Sequence, residues 1–263
     1  MEYHVIDVFA AQQFKGNPAG VCLLDEWLPD DVLQNIAMEN NLSETAFVVK
    51  RSGYYDLRWF TPTVEVDLCG HATLASAFVV FEGIAENQLS FKTQSGMLGV
   101  ARDGDMYCLD FPAWPVEPCP AYQAFEKGLG VKLVGAYKSK DYLVEVESEA
   151  VLRSIKPDFA ALKQVKEEAC LDTDVLGIIV TAQGNDCDFV SRFFAPNAGV
   201  DEDPVTGRAH CSLTPFWSRR LGKPKLHARQ LSQRGGVLLC EDRGERVTIG
   251  GKAVRYLKGE ICI

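Results

Sequence analysis

Two glycines in this chain stand where an anion could be held, and Glu44 and His71 could move a proton. Gly70-His71-Ala72 and Gly207-Arg208-Ala209 each follow a turn rich in acidic residues and glycine and open a helical stretch. A helix starting there presents unpaired backbone N–H groups, which bind carboxylate or phosphate. Each glycine could instead serve only close helix–strand approach. Two equivalent placements favour a small anionic ligand, a carboxylate. His71 lies inside this pattern and can donate or accept a proton, or simply hydrogen-bond within its turn. Glu44, in Asn41-Leu42-Ser43-Glu44-Thr45, enters an apolar strand-like segment. Partial burial there would raise its pKa and make it a proton carrier, although spacing alone fits an ordinary loop glutamate better. Asp203 precedes the second helix and suits a capping role, an orienting role, or both. Gly16-Asn17-Pro18-Ala19-Gly20 reads as a turn, or as a loop tip whose Asn17 side chain faces a ligand cleft. His4, His210 and His227 have no ligand spacing, so no metal site is expected.

The elements that must position these residues come in two sets. Arg58-Trp59-Phe60-Thr61-Pro62 precedes the first glycine turn, and Arg192-Phe193-Phe194-Ala195-Pro196 precedes the second. Thr93-Gln94-Ser95-Gly96 and Ser232-Gln233-Arg234-Gly235 follow them. The copies are offset by 134, 137 and 139 residues at the arginines, glycines and glutamines. An offset near half the chain means two related halves rather than a short-period repeat. Clefts between such halves are common ligand sites. The prolines Pro112, Pro115, Pro118 and Pro120 exclude a central strand and mark a linker, giving expected domains 1–115 and 116–263, with the C-terminal strand able to pack back on the first.

Short β-branched and aromatic segments dominate both halves, so strands are the main element. Asp30–Asn40 and Phe159–Cys170 carry helical spacing. His71–Glu82 is apolar almost all round, which requires a helix enclosed by protein. A curved antiparallel sheet is the natural container. The matching helix near Arg208 meets Pro215 after about two turns, predicting a shorter or kinked element. Tyr137–Tyr142 and Glu145–Glu149 read as a charged surface hairpin or edge. Gly128-Leu129-Gly130 and Gly135 lack the spacing of a dinucleotide loop.

The 263 residues suffice for two cores. A net charge of −9 disfavours nucleic acid and anionic membrane as partners. No apolar run reaches membrane-spanning length, and the N-terminus lacks a signal-peptide pattern. The cysteine count is odd, at 9, with no C-x-x-C pair, which fits reduced cytoplasmic thiols rather than a disulfide framework or zinc ribbon.

Taken in order, Asp7-Val8-Phe9, Gly16–Gly20, Asn41–Val48, Cys69-Gly70-His71-Ala72-Thr73, Asp203–Gly207 and Gln233–Gly236 resemble the PhzF-like family, which includes the phenazine-biosynthesis isomerase. The resemblance implies an α+β, diaminopimelate epimerase-like fold: two pseudo-symmetric domains, each a barrel-like antiparallel sheet round a central helix, with the site between them. It implies an isomerase that moves a proton on a small carboxylate without cofactor or metal, and in many members a homodimer. The family's catalytic carboxylate falls on Glu44, its supporting acid on Asp203 and its histidine on His71. Gly70 and Gly207 fall where family amides hold substrate. Two departures stand out. Arg208 occupies a position commonly held by a small hydroxyl residue, and could pair with a substrate carboxylate or fill the pocket. The epimerase relatives use a cysteine from each half, whereas only Cys69 is present at such a position here. The alternatives are a non-catalytic carboxylate-binding protein and a Cys69-dependent racemase.

Overall fold

The computed structural model describes residues 1–168 and 175–263, so Cys170 and the end of the expected Phe159–Cys170 helix lie outside the described residues. The chain divides into two units, Met1–Phe111 with Thr248–Ile263, and Pro112–Val247. The second unit thus begins at the first proline of the proline-rich run.

In the first unit, β1 (Glu2–Val8), β2 (Asn17–Leu24), β3 (Thr45–Lys50), β4 (Tyr55–Phe60), the short β5 (Glu65–Val66), β6 (Gln88–Thr93), β7 (Gly96–Asp103) and β8 (Met106–Pro112) follow one another around α1 (Asp30–Asn40) and α2 (Gly70–Phe81). The C-terminal strand β17 (Arg246–Glu260) returns to pair with both β1 and β8. The pairings β1–β2, β2–β3, β3–β4, β4–β6, β6–β7 and β7–β8 complete a closed ring of eight strands. Most neighbours are antiparallel, but β2–β3 and β4–β6 are parallel. Each parallel pair needs a crossover, and the crossovers are the two helices.

The second unit repeats this plan. Its strands are β9 (Glu117–Pro118), β10 (Gly135–Lys138), β11 (Tyr142–Glu145), β12 (Ile178–Gln183), β13 (Phe189–Ala195), β14 (Val200–Asp203), β15 (Lys225–Gln230) and β16 (Gly236–Asp242). Here β11–β12 and β13–β15 are the parallel pairs, and β12–β13 and β15–β16 are antiparallel. The first crossover carries α4 (Glu149–Ser154), α5 (Phe159–Lys163) and α6 (Val165–Glu168), after an earlier α3 (Gln123–Leu129). The second crossover is α7 (Gly207–Leu221).

Enclosure of α2 follows from its composition. Every residue from His71 to Phe81 except Phe78 is buried, and β1, β2 and β3 pack on the helix. Burial of each of Leu74, Val79, Val80 and Phe81 contributes about 1.5–3 kcal/mol. The two buried hydroxyls bond back along the helix, Thr73 Oγ1 donating to Cys69 O at 2.6 Å and Ser76 Oγ to Ala72 O at 2.8 Å.

Two sequence expectations about elements are corrected. The helix containing Pro215 is longer than expected, running 15 residues to a left-handed Gly222 cap. Proline removes the N–H that would reach Cys211 O, and the Trp114 N–H supplies that bond instead at 2.9 Å. The expected charged surface hairpin is β10–β11, but β11 is buried throughout because β12 pairs along its other edge. Its Glu145 is held by Arg220 at 2.5 Å.

Candidate active site

The arginines that mark the repeat hold the acidic turns. Arg58 grips Glu65 with two bonds of 2.7 Å, and Arg192 grips Glu202 with bonds of 2.7 and 2.9 Å. Each guanidinium also lies over the phenylalanine two residues on, 5.1 Å from the Phe60 ring and 4.9 Å from Phe194. Planar forks of this kind fix a carboxylate in orientation as well as position. The serines of the later echo tie down the same turns. Ser95 Oγ donates to Asp67 O at 2.7 Å, and Ser232 Oγ to Pro204 O at 2.8 Å. Each unit therefore clamps the turn ahead of its central helix from both sides.

Both helices begin without a side-chain cap, after Cys69 in α2 and Thr206 in α7, so the amides of Gly70 and Gly207 are not used by a capping side chain. At Gly70 a Cβ would come within 3.1 Å of Phe111 Cζ, so the absent side chain serves close packing as well. Asp203 stands three residues ahead of Thr206, the residue before α7. It accepts the Thr206 hydroxyl at 2.5 Å. Gln230, buried at the end of β15, receives Thr206 N–H at 2.9 Å and donates to Asp203 O at 2.8 Å. Sequence reasoning missed this brace, because a glutamine closing a strand carries no distinguishing spacing.

Glu44 immediately precedes β3, and its carbonyl accepts the Gly20 N–H at 3.0 Å, which pins it beside β2. Its side chain is 19 % exposed, and Oε2 is fully buried 3.2 Å from His71 Nε2. The contact is within ion-pair range but is not aligned as a hydrogen bond, and neither atom has a hydrogen-bond partner among the described residues. The other ring nitrogen, Nδ1, lies 3.5 Å from Cys69 Sγ. His71 thus stands between a carboxylate and a thiol, and the three donor atoms fall within 4.8 Å of one another. Residue types separated by 25 positions gave no sign of this grouping beyond the resemblance.

Burial disfavours charge on both ring and thiol. It raises the Cys69 pKa, and the Glu44 carboxylate raises it further, so the sulfur is a thiol at neutral pH. Burial also works against a charged His71, but Cys69 and Glu44 on its two sides outweigh that cost and lift its pKa well above the ordinary imidazole value. A neutral thiol supports the charged ring less than a thiolate would, so the Glu44 carboxylate is its main support. His210, by contrast, is buried in α7 with Nδ1 2.8 Å from Thr206 O, and burial pushes its pKa down to about 4.

Asn17 is not at a loop tip. It opens β2 opposite Val8 and is fully buried. The glycine before it, Gly16, has φ +68°, and a Cβ there would meet Val8 O at 2.0 Å. Arg208 is engaged within its own unit. Its Nε donates to the buried Asp141 at 3.1 Å, Nη2 to Lys140 O at 3.4 Å, and its guanidinium carbon lies 5.0 Å from the Trp114 ring centroid.

A match to the phenazine biosynthesis-like protein family covers residues 6–259. The chain belongs to that family. An uncharacterized isomerase of Pseudomonas aeruginosa is 52 % identical over 258 residues, covering 97 % of this chain and 96 % of the relative. The crystal structure of a PhzF-family phenazine biosynthesis protein from Enterococcus faecalis superposes with a TM-score of 0.95 at 49 % identity, covering 100 % of this chain and 99 % of that one. A hydroxyproline epimerase from Agrobacterium vitis shares the fold, with a TM-score of 0.65 at 12 % identity over 99 % of this chain and 90 % of its own. The family's α+β, epimerase-like architecture is the one built above from strand pairings. Among the described residues no helix is long and apolar enough to cross a membrane.

Proposed function

We propose that this family member is an isomerase that moves a proton on a small carboxylate substrate, with Glu44 as general acid and base. The observation that carries this reading is the buried Glu44 Oε2 set 3.2 Å from His71 Nε2. A carboxylate in this position can both accept a proton from the substrate and give one back. The reaction needs a carbon acidified by an adjacent carbonyl or double bond. Glu44 takes the proton from that carbon, the electron pair shifts along the unsaturated system, and Glu44, whose side chain is 19 % exposed and exchanges its proton with solvent, delivers a proton at another carbon. No electron leaves the substrate, so the step requires no redox cofactor. His71, held as the charged ring by its neighbours, stabilises the negative charge that develops.

The uncapped amides at Gly70 and Gly207 are assigned to the substrate's carboxylate. Asp203, Asn17 and Arg208 complete the assignment: Asp203 orients, Asn17 lines, and Arg208 contributes a guanidinium whose charge is already balanced by Asp141.

The test is incubation of candidate unsaturated carboxylic acids in heavy water. Deuterium should enter the substrate with the wild-type chain, and enter at least about 100-fold more slowly with Glu44→Gln. A second reading, a racemase dependent on Cys69, draws on the 3.5 Å approach of that thiol to His71. Activity lost in Cys69→Ala and kept in Glu44→Gln selects it.

A further inference from the structure

The geometry points to a zinc-binding site formed by Glu44, Cys69 and His71, through which a divalent metal inhibits the chain. Thiolate sulfur, imidazole nitrogen and carboxylate oxygen are the three donor types that zinc takes from proteins. They come here from two elements, the loop ahead of β3 and the start of α2, and are carried by buried or nearly buried side chains. A tetrahedral zinc with sulfur at about 2.3 Å and nitrogen and oxygen at about 2.0–2.1 Å separates sulfur from nitrogen by roughly 3.6 Å, and nitrogen from oxygen by roughly 3.3 Å. The observed nitrogen–oxygen separation is 3.2 Å, and the whole trio lies within 4.8 Å.

Two further observations separate this cluster from a chance grouping. Glu44 Oε2 and His71 Nε2 face each other as an ion pair with no hydrogen bond to any described residue, so a metal can take the place of the His71 proton between them. The metal takes Nε2, and Cys69 Sγ turns from Nδ1 toward it by rotation at its own Cα–Cβ bond. The charge also balances. A dication with one thiolate and one carboxylate is neutral, which lowers the cost of placing charges in a buried site. Zinc binding displaces two protons to solvent, one from the Cys69 thiol and one from Nε2 of the charged His71 ring, and a water fills the fourth position.

Binding stands on these three residues alone, whereas inhibition rests on the proposed role of Glu44, whose oxygen the metal occupies. The experiment uses cobalt(II) as the spectroscopic probe. Titrating the full chain should give a near-ultraviolet sulfur-to-cobalt band and visible tetrahedral bands that saturate at one ion per chain. Cys69→Ser should abolish the sulfur band and weaken binding at least 10-fold, while Cys262→Ser, at an exposed site, leaves both unchanged. On the unmodified chain, zinc should protect Cys69 from iodoacetamide, read by mass spectrometry, so the outcome does not depend on a variant folding. No sulfur band, or one that survives Cys69→Ser, overturns the proposal, as does unprotected Cys69 at saturating zinc. Because both readouts are independent of turnover, their failure leaves the isomerase reading intact. Loss of that reading would leave the metal site.

Discussion

At the residue scale, His71 is the group whose surroundings make the sharpest prediction. Its pKa is raised in the folded chain, so the protonated ring stabilises the fold. That contribution is complete below the unfolded value near 6.5 and is lost as pH rises through the folded value. The stability advantage of the wild-type chain over His71→Asn, measured by urea denaturation, should therefore be largest at acidic pH and shrink on the alkaline side. An advantage that grows with pH would contradict the placement of Glu44 beside the ring. Arg58 and Arg192 teach a related lesson. Both were visible as repeated letters, but their roles as clamps on Glu65 and Glu202 became clear only when the turns were folded back on β4 and β13.

At the scale of elements, α2 was legible because a helix with no polar face has to be enclosed, and α1 because Leu33, Ile36 and Ala37 share one side and are buried. The glycine turns were legible because the chain states them twice. The length of α7 was not, since the bond that compensates Pro215 comes from Trp114, about a hundred residues earlier. Helix propensity alone credits Pro215→Ala with a gain of about 3 kcal/mol. We expect a change below about 1 kcal/mol by chemical denaturation, because the Cys211 carbonyl is already occupied and the new N–H gains little. A stabilisation near the full propensity value would mean that the Trp114 bond contributes nothing. The Glu44–His71–Cys69 grouping was legible in part. His71 and Cys69 are two residues apart, but Glu44 reaches them only through the parallel β2–β3 pairing, which no local pattern announces.

At the scale of the whole molecule, the chain is one plan used twice, with matching parallel and antiparallel pairings in each unit. The repeat was readable, but closure of the first ring was not, because β17 follows the whole second unit before pairing with β1 and β8. Deleting residues 248–263 would leave both of those strands with open edges, which invite aggregation. We expect the shortened chain to lose its folded first unit, with circular dichroism reduced and large species on gel filtration. A shortened chain that keeps the size of the full chain on gel filtration and an unchanged spectrum would contradict ring closure by β17.

The central claim is that the buried carboxyl of Glu44 carries the proton. The most direct measurement is the rate of solvent deuterium entry into a bound carboxylate substrate, followed by NMR for wild type, Glu44→Gln and Glu44→Asp. The account predicts exchange in wild type, near-complete loss in Glu44→Gln, and partial activity in Glu44→Asp, whose shorter arm keeps the charge. Exchange that proceeds unchanged in Glu44→Gln would contradict it.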